Sequence, residues 1–216
     1  GQQLKQLGCK QGVRGAKAHS LLHIAAMRAN IEILNECLAH AADTMAIDIA
    51  DEDGLTPLFH AIASRSELCL LALVNAGARF RDFRVQGHDA LHACAKNNFG
   101  KGVRALFKLG ASLTTKVLGT DDTCLHVVAE RNADIAARAL FECGAHPLLH
   151  VKNAAGLTPL QLALKLNSRR VLEVLADPPA HTVHCEREAS PLATAKLSKR
   201  LGGGGGGELG RASDYT

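Results

Sequence analysis

Large aromatic side chains are almost missing from this chain. Of its 216 residues only 3% are aromatic, with six Phe, one Tyr and no Trp. A core built without big rings has to come from thin layers of Leu, Ala and Val, the kind that stacked helices bury. Long apolar runs are missing too: no stretch approaches the ~20 residues needed to cross a bilayer as a helix, and no signal peptide opens the chain. Charge of one sign is also scarce. The 25 basic and 21 acidic side chains leave a formal charge of +4, too mild to argue for an extended phosphate track or an anionic membrane. Cysteine is sparse and scattered. Cys9, Cys37, Cys69, Cys94, Cys124, Cys143 and Cys185 are odd in number and mostly set among Leu and Ala. That excludes a dense disulfide framework and reads as small buried hydrophobes in a reducing compartment, cytoplasmic and/or nuclear. The chain starts at Gly1 rather than Met, so a fragment of a longer protein is expected.

The 47% hydrophobic content is that of a folded chain, and its distribution is periodic. Five segments align: Ser20–Ala25, Thr56–Ala61, Asp89–Cys94, Thr123–Val128 and Thr158–Ala163. Their third residues, Leu22, Leu58, Leu91, Leu125 and Leu160, are separated by 36, 33, 34 and 35 residues. Ser20, Thr56, Asp89, Thr123 and Thr158 are good N-cap residues, and Pro57 and Pro159 fall at the first helical position, where a missing N–H does no harm. After each first helix comes a break, at Asn98, Asn132 and Asn167 in three repeats, residues that tolerate a left-handed backbone. Second helices follow with the apolar pairs Cys37-Leu38, Leu73-Val74, Leu106-Phe107, Leu140-Phe141 and Val174-Leu175. Gly77, Gly110 and Gly144 close three of them, as suits a helix C′ position. The differences in repeat length fall in the connecting fingers and not in the helices.

These segments resemble the Thr-Pro-Leu-His-x-Ala signature of the ankyrin repeat, whose period is about 33 residues. The resemblance implies an all-α solenoid of stacked helix-turn-helix units with hairpin-like fingers. It divides the chain into the tail of a preceding repeat and its finger (1–19), five repeats (20–179), a degenerate C-terminal half-repeat or cap (180–201) and a Gly-rich flexible tail (202–216). Leu4–Cys9 reads as the end of an earlier second helix and Ser190–Ala195 as a further first helix. At least one more repeat is therefore expected upstream.

One helix pair cannot bury its own apolar stripe, so neighbours must stack. In this family partners usually bind the concave face made by fingers and first helices. Carried over position by position, the variable surface residues are Met27, Arg28, Glu52, Asp53, Leu55, Ser64, Val85, Gln86, His88, Lys96 and Asn97. The fourth repeat adds Thr120, Asp122, Glu130 and Arg131, and the fifth Ala154, Ala155, Leu157, Lys165 and Leu166. The finger at 79–85 sets Arg79, Arg81 and Arg84 around Phe80 and Phe83, the composition of an interface hot spot. Phe80 occupies a position that the family buries, and Asp51, Glu52 and Asp53 on the preceding finger could neutralise the arginines. Phe83 and Arg84 are the residues expected to reach a partner.

The signals that look like chemistry are weak. Gly202–Gly207 contains G-x-G-x-x-G trivially, without the strand and helix a dinucleotide loop needs. His181, His184 and Cys185 fall short of the four ligands of a structural zinc site. His23, His92 and His126 occupy one repeated position, where the family uses the ring for local hydrogen bonds. Phe59 and Gln161 take that position in the other two repeats. No cofactor, metal or catalytic set is expected. The expected function is a protein-binding scaffold or adaptor, monomeric, taking no nucleic acid and inserting in no membrane. The alternative is a regulatory or substrate-docking module of a larger enzyme or channel. An autonomous hydrolase is the third reading, and a Ser-His-Asp set with no fixed geometry does not carry it.

Overall fold

In the computed structural model, residues 20–40, 47–81 and 85–179 are described. The expected segments at 1–19, 180–201 and 202–216 lie outside them, as do Phe83, Arg84 and the His181–His184–Cys185 group. The described residues form ten α-helices in five pairs. They are α1 (Leu21–Met27) with α2 (Ile31–His40), α3 (Pro57–Ala63) with α4 (Glu67–Asn75), and α5 (Ala90–Lys96) with α6 (Gly100–Lys108). Then follow α7 (Cys124–Arg131) with α8 (Asp134–Glu142), a short 3-10 turn at His146–His150, and α9 (Pro159–Lys165) with α10 (Arg169–Ala176). First helices stack on first helices, α1 on α3, α5, α7 and α9 in turn, while second helices form a parallel layer behind them. The fingers are turns, with a single isolated bridge, Val85 to His88, among the described residues.

The five helix starts fall where the sequence places them. Ser20, Thr56, Asp89, Thr123 and Thr158 are the N-caps of α1, α3, α5, α7 and α9. The breaks are left-handed at Asn98, Asn132 and Asn167, as expected. They are left-handed also at Ala29 (φ 54°) and Arg65 (φ 55°), where no Asn or Gly marks the turn. The tertiary stack imposes this conformation against local preference, since an L residue with a Cβ is strained there by about 1–2 kcal/mol.

The core runs the length of the stack. Leu22, Leu58, Leu91 and Leu125 are buried, together with the second-helix residues Leu73, Val74, Leu106, Phe107, Leu140, Phe141, Val174 and Leu175. Phe80 is buried as well. Cys69, Cys94, Cys124 and Cys143 are buried free thiols, and Cys37 is half-buried. Burial, with the nearby Asp89 charge, pushes the Cys124 thiol up to about 12, so it behaves as an apolar side chain. The signature Leu of the fifth repeat differs: Leu160 is 37% exposed and Leu164, one turn on, 61%.

Two of the breaks do more than turn the chain. The Asn98 side-chain oxygen Oδ1 accepts from the backbone N–H of Ala136 at 2.9 Å, and Asn132 Oδ1 from the Val171 N–H at 3.2 Å. Each therefore caps the second helix of the following repeat. Those helices have no useful cap of their own: residue 133 is Ala, and the Ser168 hydroxyl is turned back to donate to the Ala129 carbonyl at 2.7 Å. Asn132→Gly keeps the left-handed turn and removes the cap, with an expected loss of about 0.5–2 kcal/mol in urea denaturation. Asn132→Ala should lose about 1 kcal/mol more through backbone strain. Equal losses for the two variants would contradict this assignment.

Candidate interaction surface

The signature histidines are structural links. In the first repeat the Ser20 backbone N–H donates to His23 Nδ1 at 3.1 Å, and the Ser20 hydroxyl lies 2.7 Å from the same nitrogen. With Nδ1 accepting, Nε2 carries the proton and donates to the Leu55 carbonyl of the next finger at 3.1 Å. His126 repeats the arrangement with Thr123 and the Leu157 carbonyl, at 3.2 and 2.9 Å. Gln161 reproduces the local half, accepting from Thr158 N–H at 2.9 Å. With both ring nitrogens committed to the backbone, His23 and His126 are poor acid–base candidates.

His92 behaves differently because its cap is a carboxylate. Asp89 Oδ1 accepts from the His92 backbone N–H at 2.9 Å and from Nδ1 at 2.7 Å. Nδ1 now holds a proton, so a neutral ring has none on Nε2 to give to the next finger, and Nε2 is buried without a hydrogen-bond partner. Burial alone would raise the Asp89 pKa, but its hydrogen bonds and the charge interaction with His92 hold it below the usual value of 3.8. Asp51 balances in the same way. Burial is opposed by His60, whose Nε2 lies 2.7 Å from Oδ2, and by the Leu55 and Asp53 N–H groups on Oδ1, each at 2.9 Å, so its pKa is lowered.

Burial lowers the pKa of His126 and of His88 below the usual 6.5. The unfolded chain then binds more protons than the folded one once pH falls below about 6.5. Stability from these rings is complete above that pH and is lost as pH drops toward their folded-state values. The urea midpoint should therefore be lower at pH 5.5 than at pH 7.5. His126→Gln, which copies Gln161, should flatten that dependence, and an unchanged slope would contradict the role given to the ring.

The surface residues expected from the sequence divide into two groups. Met27, Arg28, Lys96, Glu130, Arg131, Lys165 and Leu166 are exposed at the C-terminal ends of the first helices, with Asn97 partly exposed beside them. Glu52, Asp53, Gln86, Thr120, Ala154 and Ala155 are exposed on the fingers; Leu55, His88, Asp122 and Leu157 are partly buried there. Val85 is a correction: it is 8% exposed and packs in the core cluster, so its side chain is not offered to a partner. Ser64 is engaged internally, its hydroxyl donating to the Ala26 carbonyl of the preceding repeat at 2.9 Å.

The arginine finger is tied down by a different acid from those expected. Arg79 Nε donates to Asp48 at 3.1 Å and its backbone N–H to the same carboxylate. Asp51 is occupied by His60, and Arg81 Nη2 donates to the Leu109 carbonyl at 2.6 Å. Reading the sequence missed Ile24, 40% exposed on α1, and Arg65, exposed in the left-handed turn after α3. Both lie on the same first-helix side as the expected residues. The repeat ruler points to Arg65, which takes the left-handed position that Asn98, Asn132 and Asn167 hold in later repeats, but not to Ile24, whose counterparts His60, Ala93 and Val127 are buried.

Among the described residues, no three His, Cys, Asp or Glu side chains are grouped to hold a metal ion, and no helix is long and apolar enough to cross a membrane.

A family model described as ankyrin repeats in three copies matches residues 2–84 and 22–117. The chain is 29% identical over 153 residues to the E3 ubiquitin-protein ligase KEG of Arabidopsis thaliana, covering 70% of this chain and 9% of that protein. It is 27% identical over 154 residues to the nuclear factor NF-kappa-B p105 subunit of Gallus gallus, covering 69% and 15%. Against the mouse p105 subunit it is 29% identical over 132 residues, covering 61% and 14%. The chain thus spans between 9% and 15% of the length of these relatives.

Proposed function

Because the chain belongs to the ankyrin-repeat family, whose repeats generally mediate protein–protein interaction and whose domains are typically non-catalytic, we propose that it is a scaffold or adaptor. It would bind a protein partner along the face made by its first helices and fingers. The observation that carries this reading is the contrast along α5 and α7. Their stacking residues are fully used in the core, while Lys96, Glu130 and Arg131 are exposed at their ends. Met27, Arg28, Asn97, Glu52, Asp53, Gln86 and His88 extend the same surface, and Phe83 and Arg84 belong to it in this proposal. Residence in the cytoplasm or nucleus is part of the same reading, supported by the buried free thiols and by a relative named as a nuclear factor subunit.

Affinity capture from cell lysate tests it. Met27→Asp/Lys96→Ala/Arg131→Ala should lose partners that wild type retains, while Lys101→Ala/Arg138→Ala on the second helices should retain them. Circular dichroism would verify that both variants are folded. The opposite pattern would overturn the proposal.

A second reading has a specific observation behind it. The matched stretch covers only 9% and 15% of two of these relatives, and one is named as a ligase. The stack could therefore act within a larger polypeptide, as the docking or regulatory module of an enzyme. Capture of wild-type partners only by the full-length parent would favour it.

A further inference from the structure

The first helices divide their faces in a fixed way. Counted from the cap, the fourth residue is buried in His60, Ala93 and Val127 but exposed in Ile24, on the first of the described helices. The second residue is buried in Leu22, Leu58, Leu91 and Leu125, and the sixth in Ala26, Ile62, Ala95 and Ala129. Among the described residues these two positions are open in α9 alone, at Leu160 and Leu164. The fourth position therefore faces the preceding repeat, and the second and sixth face the following one. Leu160 and Leu164 make an apolar end face that a sixth layer would bury.

The chain leaves α10 in register for such a layer. Pro178 and Pro179 follow Leu175 at the spacing at which Gly144 and Ala145 follow Phe141. His146 Nε2 donates to the Pro179 carbonyl at 3.0 Å, which ties the start of this finger to the previous one. From Pro179 to Ser190 is 11 residues, as from Ala78 to Asp89, against 12 from Ala111 to Thr123 and 13 from Ala145 to Thr158. Ser190 is a cap residue, and Pro191 repeats Pro57 and Pro159 at the first helical position. Ala195 repeats Ala25, Ala61 and Ala163, all buried. A hydrogen bond fits the same register. His23 and His126 donate from Nε2 to the carbonyl just before the next cap. Gln161, whose Oε1 accepts from Thr158 N–H, can offer Nε2 in the same way, and the carbonyl in that place belongs to Ala189.

We propose that residues 190–197 of this chain dock on the Leu160–Leu164 face as a single terminal helix, and that Lys196 ends the stack there. Pro191, Thr194 and Ala195 then meet α9, and the Ala189 carbonyl accepts from Gln161 Nε2. Lys196 is the sixth residue after the cap, where the five earlier repeats carry Ala26, Ile62, Ala95, Ala129 and Leu164. It faces away from α9, and a further repeat or a second copy stacked on it would bury an unpaired ammonium. A polar outer face of this kind is what keeps the end of a repeat stack soluble. The six glycines from Gly202 are poor helix formers, so this layer has no second helix behind it. Held on one face only, it is the least stable layer and opens before the five helix pairs unfold. The cover it gives Leu160 is therefore absent from the global unfolding transition.

A photoreactive diazirine amino acid at Leu164 of the full chain tests this. The expected result is a crosslink within the same chain to residues 190–197, mapped by mass spectrometry. Hydrogen exchange gives a second readout. Ala195→Arg should abolish the crosslink and speed exchange of the α9 amides about tenfold, the factor that about 1.4 kcal/mol gives. Lys196→Glu, on the outer face, should change neither. Circular dichroism would verify that both variants keep the five helix pairs. Equal effects of the two substitutions would contradict the orientation of the helix and the role given to Lys196. Crosslinks only between two chains would give the face to a second copy and overturn the proposal. No crosslink to residues 190–197, with α9 exchange the same in wild type and Ala195→Arg, would overturn it as well.

Discussion

Leu91→Ala is expected to cost about 2–5 kcal/mol of stability, while the same change at Leu160 should stay within roughly 1 kcal/mol. Both are the third residue of a repeat signature, and the sequence treats them alike. Leu91 is 1% exposed between α3 and α7, so truncation leaves a cavity that neighbours on both sides cannot close. Leu160 is 37% exposed and already loses part of its contact to solvent. Urea denaturation of the two variants side by side measures the difference. Equal losses would show that position in the repeat, not burial in the stack, sets the energy.

Gly100→Ala is expected to cost about 1–3 kcal/mol by overpacking, although Ala is the better helix former. A Cβ on Gly100 would lie 2.9 Å from the Ile135 carbonyl oxygen, 3.0 Å from Ile135 Cγ2 and 3.3 Å from the Ala139 Cβ. The obstacle is the backbone of α8, so the whole following repeat would have to move. Gly102 is similarly constrained, against the Phe99 ring and Cys94 Sγ. A thermal midpoint for Gly100→Ala equal to or above wild type would contradict this close approach of α6 and α8.

The helix starts were legible because an N-cap, a Pro at the first position and a Leu two residues on are local features with local causes. The five caps and the second-helix apolar pairs lie where that reasoning puts them. What it could not see joins residues about one repeat apart. Asn132 caps a helix whose first turn lies 39 residues away, and Arg79 pairs with Asp48 across 31 residues. Ala29 and Arg65 adopt left-handed backbone that their own side chains disfavour. The difference between His92 and its counterparts rests on one substitution, Asp for Ser or Thr at the cap, which reverses the ring's proton. On the interaction surface, family positions identified most of the exposed residues. They included Val85, which is buried in the core, and they omitted Ile24, which is exposed although its counterparts His60, Ala93 and Val127 are buried, and Arg65.

The central claim is that partners meet the first-helix side of the stack. Photo-crosslinking from a benzoylphenylalanine placed at Lys96, compared with one at Arg138 on α8, tests it most directly. In lysate, the probe at position 96 should form discrete protein adducts and the probe at 138 should not. Adducts from position 138 alone would move the binding surface to the second helices and contradict the account.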